Sequence, residues 1–313
     1  MRDGLSPLSK DVEAAVRLGR AATLARPWVG ERGTSLADRL DAEVRAGSRA
    51  GALYWRRGEP VGIATWHPAG PLGVNVDLFY LDLAAASADE FPAFWRALRA
   101  FAGPIAFVAG EIAGVPLEDE ERLLRGVGLR RFGRSEMRRP DSAPPLPEPP
   151  GPDGGRLRPV GPDDAPALSE LHRRAYHGRL DRYLFLEDED EARDAQRMCA
   201  DLFAGRWGAF LPAGSRGIEL DGELIAAVLS VRRPEGALVA DVMVDPARQG
   251  RGWGEVVMRG TLTALHAARI GPVYLNVTEG NDRAIRLYTR LGFVRTLGPS
   301  VDWYDPAIVP AVD

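Results

Sequence analysis

The segment Val242-Met243-Val244-Asp245-Pro246-Ala247-Arg248-Gln249-Gly250-Arg251-Gly252-Trp253-Gly254 carries the most information in the chain. It reads as a strand, a short loop opened by Pro246, a glycine-rich turn and the start of a helix. Glycines at 250, 252 and 254 remove the Cβ atoms that would hold a ligand away from the backbone. The helix that follows points its unpaired N–H groups and its positive dipole end at the same spot, a ready anion site. Pyrophosphate is a natural occupant. The dinucleotide-binding pattern GxGxxG is not met, because Gly254 is followed by Glu255 and Val256, and no GxxxxGK[ST] occurs. A glycine-tolerant helix start packed on a sheet accounts for the same residues without a ligand.

Working outward, Val273 to Val277 reads as a strand and Asn281 to Arg290 as a helix that Gly292 ends. Asn281, Ala284 and Tyr288 fall at i, i+3 and i+7, which places them on one helical face. Asn281 also suits an N-cap. Upstream, Asp221-Gly222 turns a hairpin between Gly217–Leu220 and Leu224–Val231, and Leu238 to Val244 forms another strand. Before these come a short strand at Leu157 to Val160, a helix opened by Asp163-Asp164 and reaching Tyr176, and a helix over Glu189 to Ala204. The pattern predicts a mixed α/β fold in which helices interrupt a mostly hairpin-connected sheet.

Seven prolines between Pro140 and Pro152 mark a semi-rigid spacer, which divides the chain into 1–139, a linker 140–155, and 156–313. The flanking halves match at a constant offset. Gly58 and Gly222, Asp77 and Asp241, and Gly128 and Gly292 are each 164 residues apart, as are Arg122-Leu123 and Arg286-Leu287. Matches in one register predict tandem copies of a single fold. At that offset Ala85, Ala86, Ser87, Ala88, Asp89 and Glu90 stand opposite Gln249 to Gly254, Leu124 opposite Tyr288, and Leu117 opposite Asn281. The first half thus keeps scaffold landmarks and loses the glycines. The residues before Gly51 are few for a full copy, so the first strand is expected to be missing. Trp55, Trp66 and Trp95 read as core or interface residues.

Composition excludes several classes. The 313 residues are 45% hydrophobic and 27% charged, ordinary for a globular chain of two domains. No apolar run approaches the roughly 18–20 residues of a membrane span, and the N-terminus lacks a secretory layout. Cys199 is the single cysteine, which excludes an intrachain disulfide and a cysteine zinc site and fits a reducing cytoplasm. The four histidines form no HExxH pair, so no metal is expected. Net charge is −4 without a basic cluster, which counts against nucleic acid as a partner.

Gln249-x-x-Gly252-x-Gly254 after a strand resembles the acyl-CoA pyrophosphate loop of the GCN5-related N-acetyltransferase (GNAT) superfamily. The run from Asn276 to Phe293 is similar to that family's second signature, and Leu157 to Val160 with Asp163-Asp164 resembles its first strand and helix. The resemblance implies two tandem acyl-CoA N-acyltransferase folds, each a mixed, mostly antiparallel sheet flanked by helices. It implies that Val242, Met243 and Val244 pair with the pantetheine arm of acetyl-CoA as an added strand would. Backbone N–H groups of Gln249, Gly250, Arg251, Gly252, Trp253 and Gly254 would hold the pyrophosphate. Asn281 matches a residue that contacts the cofactor arm, with Ala284 on the same face, and Tyr288 matches the acid beside the thioester sulfur. The resemblance implies a base near the cofactor strand, a carboxylate or a water held by one, and Asp241 is the candidate here. The matching Asp77 argues instead for a shared structural role.

The reading is a cytoplasmic enzyme that moves an acetyl group from acetyl-CoA to a primary amine of a small molecule by direct attack. The competent site lies in the C-terminal domain beside a degenerate N-terminal copy, a layout similar to that of the mycothiol synthases. Alternatives are a peptide or protein N-acetyltransferase, a non-catalytic acyl-CoA sensor, a structural adaptor, and an aminoacyl-tRNA-dependent transferase. Monomer and homodimer both stay open. His172 and His177 read as surface or satisfied histidines, and the acidic run Glu187 to Glu191 as a solvated helix start or an attractor for a cationic amine.

Overall fold

The computed structural model describes residues 3–24, 30–82, 88–109, 112–113, 115–147, 154–296 and 300–310. They group into two compact units, Met1–Phe132 with Tyr183–Glu187 and Ser300–Asp313, and Gly133–Arg182 with Asp188–Pro299.

The first unit contains strands β1 (Gly4–Pro7), β2 (Ala50–Arg56), β3 (Glu59–Pro68), β4 (Val74–Leu81), β5 (Ile105–Ala109) and β6 (Ile112–Ala113). Its helices are α1 (Val12–Leu24), α2 (Gly30–Arg45), α3 (Phe91–Ala102) and α4 (Leu117–Gly126). The first strand, expected to be missing, is present, and β1 pairs antiparallel with β2. The order is β1-β2-β3-β4-β5, closed by the strand Ser300–Tyr304 from the far end of the sequence. Period-two alternation sorts side chains between two apolar layers. Leu53, Ile63 and Leu78 meet Ala15, Leu18, Leu40 and Val44 of α1 and α2. Tyr54, Ala64 and Phe79 meet Phe94, Leu98 and Leu124 of α3 and α4, joined by Trp303. Trp55 and Trp95 are buried, and Trp66 lies edge-on to Phe101.

The second unit repeats this plan with β7 (Arg130–Arg139), β8 (Arg156–Pro159), β9 (Arg216–Leu220), β10 (Glu223–Arg233), β11 (Gly236–Val244), β12 (Val273–Thr278) and β13 (Val294–Arg295). Its order is β8-β9-β10-β11-β12-β7, and the remaining strand, β14, is Ser300–Tyr304 of the first unit. Each sheet therefore takes its sixth strand from the other half of the sequence. β11 and β12 run parallel and the other ladders of this order antiparallel. Helices α5 (Ala165–Tyr176), α6 (Leu180–Tyr183), α7 (Glu191–Phe203), α8 (Trp253–Ala267) and α9 (Asp282–Arg290) complete it. One apolar layer joins Leu168, Leu171, Cys199 and Leu202 to Leu229 and Val231, and the other joins Val257, Met258, Leu265 and Leu291 to Val228 and Val239.

The repeat extends to irregularities in the sheets. Val61 is the extra residue of a bulge between β2 and β3, and Ile225, 164 positions later, is the extra residue between β10 and β9. A second break falls after Thr65 and after Leu229, again 164 apart. The register then slips by one. Thr65 faces Leu78, whereas Leu229 faces Asp241, so the counterpart of Asp241 is Leu78 and not Asp77. A one-residue slip reverses the face a side chain points to. Leu78 accordingly lies in the apolar layer under α1 and α2, while Asp77 bonds Thr65 at 2.7 Å and pairs with Arg49 and His67. The structural role of Asp77 says nothing about Asp241.

Candidate active site

β11 and β12 pair in parallel only over Ala237–Val239, opposite Val273–Leu275. Beyond that point β12 pairs with β7 alone, and no ladder covers the β12-facing edge of Ala240–Val244 among the described residues. An exposed strand edge recruits another extended chain. Val242, Met243 and Val244, the sequence candidates for the pantetheine arm, lie on that edge.

The edge leads into the glycine loop. Asp245 accepts the N–H of Ala247 at 2.9 Å and opens a 3-10 turn over Pro246–Arg248. Gln249 donates its side-chain amide to the Val244 carbonyl at 3.3 Å and accepts from Arg283. Gly250 and Gly252 then take φ values of 85° and 88°, in the left-handed region that a Cβ disfavours. α8 starts at Trp253, and the Glu255 and Val256 N–H groups close back on the Gly252 carbonyl. The N–H groups of Gly250 to Gly254 have no backbone acceptor among the described residues, as a helix start requires. A Cβ built on Gly250 or Gly252 meets nothing within 4 Å, so the space above the loop is open. The open cradle, free donors and bare strand edge fit an acyl-CoA.

α9 starts beside this loop. Asn281 is its N-cap and accepts the Ala284 N–H at 3.2 Å. Seven residues on, Tyr288 is buried with 7% of its surface exposed. Burial holds its hydroxyl well above the ordinary phenol range, and the nearby Asp241 and Asp181 carboxylates push it further. Tyr288 is therefore a neutral proton donor.

Asp241 is buried on β11, with 6% of its surface exposed. Burial raises its carboxyl above the usual carboxylate range, against opposing effects of His172, Tyr176 and the Val242 N–H. Tyr176 donates its hydroxyl to Asp241 Oδ1 at 2.6 Å. His172 Nε2 stands 3.8 Å from Oδ2, its ring centroid 4.6 Å from that of Tyr176. Asp181 accepts the Thr278 hydroxyl at 2.6 Å. The unit thus gathers a buried carboxylate able to take a proton and a buried phenol able to give one, beside a free strand edge and an anion cradle.

Other candidates lie elsewhere. His177 is exposed and pairs with Glu191 at 2.9 Å. The acidic run is spent on structure: Asp190 caps α7 and Asp188 pairs with Arg193. Cys199 is buried, its thiol pushed up to about 11 by desolvation. Sequence reasoning missed Tyr176 and Asp181. The i, i+4 spacing of His172 and Tyr176 could have flagged the first, and nothing local signals the second. The described residues contain no cluster able to hold a metal ion and no helix long and apolar enough to cross a membrane.

Residues 166–293 match the model of the Acetyltransferase (GNAT) family. A mycothiol acetyltransferase of Thermomonospora curvata is 36% identical over 165 residues, 51% of each chain. One of Salinispora tropica is 33% identical over 169 residues, again 51% of each. The matches thus span about half the length of these curated relatives. A GCN5-related N-acetyltransferase from Sphaerobacter thermophilus shares the fold, with a TM-score of 0.58, 16% identity, and coverage of 100% of this chain and 98% of that one.

Proposed function

Since residues 166–293 match the acetyltransferase (GNAT) family model, we propose that the second unit transfers an acetyl group from acetyl-CoA to a primary amine of a small molecule. The observation that carries this reading is the bare β11 edge ending in the left-handed Gly250–Gly252 cradle at the start of α8. Val242 to Val244 would bind the pantetheine arm, and the N–H groups from Gly250 to Gly254 the pyrophosphate, the Gln249 N–H being bonded to the Pro246 carbonyl. Acetyl-CoA supplies a thioester acyl carbon open to direct attack. Asp241 takes a proton from the attacking amine, and Tyr288 gives one to the departing sulfur. A thiol leaves with little help, so the acid adds modestly to the rate. The similarity to mycothiol acetyltransferases supports amines of the mycothiol type as the first acceptor class to screen.

The first unit is read as a degenerate copy that holds no acetyl-CoA. In it β6 pairs with β4 at Phe79 and Tyr80, on the stretch that β11 leaves bare. Ala85, Ala86 and Ser87, opposite the glycine loop, lie outside the described residues.

Calorimetric titration with acetyl-CoA tests both statements. One site per chain, abolished by Gly252→Glu, supports them. Two sites overturn the degenerate reading, and no binding at millimolar acetyl-CoA overturns the enzyme. A chain that binds acetyl-CoA yet acetylates no amine is a sensor.

A further inference from the structure

Asp241 Oδ1 is committed to the Tyr176 hydroxyl at 2.6 Å, which leaves Oδ2 toward His172 at 3.8 Å. Both partners come from one face of α5, a turn apart, and their rings pack against each other with centroids 4.6 Å apart. His172 is buried and Tyr176 partly buried. His172 is 6% exposed, and Tyr176 packs in the apolar layer with Leu171 and Cys199. A hydrogen-bonding tyrosine and an imidazole placed inside an apolar layer cost desolvation, and here both are turned on the same carboxyl. In the first unit Leu78 takes the place of Asp241, within an apolar layer under α1 and α2. Asp241 is thus a charged group where the matching place in the first unit is apolar.

We propose that Tyr176 and His172 are the positioning residues of the acetyl-transfer site: Tyr176 locks one oxygen of Asp241 and His172 steadies its charge, so that Oδ2 is the oxygen that takes the amine proton. This rests on the acetyltransferase reading and adds the two side chains that aim and poise its base. Other titratable groups facing Asp241 are Asp181 from α6 and Tyr288 from α9. Cys199 of α7 also feels its charge. Asp194 of α7 also interacts with His172, its carboxyl raised by burial against the Asp188 N–H, Arg182 and His172. Asp241 is therefore a buried base whose ionised form depends on α5. Loss of either α5 partner removes a stabiliser of the carboxylate, so the pH at which Asp241 ionises rises.

The test uses the full chain with Tyr176→Phe and His172→Gln. The first keeps the ring and removes the hydroxyl, and the second keeps a donor and removes the titratable ring. Carboxyl-carbon NMR, with the Asp241 signal assigned from Asp241→Asn, gives the midpoint directly and needs no acceptor. The expected result is a midpoint raised by about half a unit to one unit in each variant, with unchanged acetyl-CoA affinity. With an acceptor in hand, the acid limb of kcat/KM moves up by the same amount while KM for acetyl-CoA stays fixed. An Asp241 midpoint unmoved in folded Tyr176→Phe and His172→Gln overturns the proposal. An activity-free wild type whose midpoint still moves in the variants overturns the acetyltransferase reading and leaves the pairing intact.

Discussion

Phe79 of β4 and Ile112 of β6 pair in a parallel ladder, on the strand edge whose counterpart in β11 carries no neighbour among the described residues. The first unit thus satisfies with its own chain the backbone groups that the second unit leaves for something else. Such satisfaction is close to obligatory for a strand edge away from water.

Hydrogen exchange follows from this difference. Adding acetyl-CoA is expected to slow exchange in residues 240–244 and 250–254, where a ligand would cover the β11 edge and the start of α8. Residues 77–81 should exchange at the same rate with and without it. Protection at 77–81 instead places a second ligand in the first unit and removes the argument from β6.

Tyr288→Phe separates proton donation from packing, since the ring stays in its apolar layer. A fall in kcat of about tenfold to a hundredfold is expected, at the low end for general acids because a thiolate leaves readily. Acetyl-CoA affinity should not change. Burial and the two neighbouring aspartates hold the phenol above its ordinary range, so Tyr288 stays protonated as pH rises toward 10. A basic limb set by Tyr288 below that pH contradicts its role as a buried donor.

Much of this site was legible in the sequence because its signals are local. Glycines in a strand–turn–helix junction and an asparagine seven residues before a tyrosine need no knowledge of distant strands. The repeat was legible for the same reason, since Gly58 and Gly222 sit in matching hairpin turns. What could not be read depends on pairing. An ungapped offset equates Asp77 with Asp241, and only the sheet register shows Leu78 in that place. β14 closes the first unit, although its sequence position assigns it to the second half, because a strand's partner is not encoded by its neighbours in the chain. Tyr176 and Asp181 reach the site from α5 and α6, and their approach is a tertiary fact.

Asp164 links acid stability to the start of α5. It accepts the Gly161 N–H at 3.0 Å and an Arg158 guanidinium N–H at 2.8 Å, and Arg158 holds its carboxyl below the usual value of 3.8. A carboxylate whose folded pKa is depressed stabilises the fold above its unfolded pKa, and that contribution is lost as pH falls through the folded value. Asp164→Asn should therefore cost up to about 1 kcal/mol at pH 7, the worth of a partly exposed ion pair. The gap between wild type and variant should close as pH falls below 3.8. Urea unfolding at pH 7 and pH 3 reads it, and an equal gap at both assigns the loss to shape rather than charge.

Gly252→Ala can weaken the protein in two ways, and Gly222 tells them apart. Both glycines hold positive φ, 88° and 83°, and a Cβ on either meets nothing within 4 Å. The folding cost of alanine is then the backbone's alone, about 1–2 kcal/mol at each. Gly222 turns the hairpin between β9 and β10, whereas Gly252 is the residue from which α8 starts. Thermal unfolding should show similar losses for the two variants. Calorimetry should show acetyl-CoA binding weakened about tenfold or more, at least 1.4 kcal/mol, for Gly252→Ala only. Equal affinities in the two variants move the pyrophosphate away from the start of α8, and with it the assignment of Gln249 to Gly254.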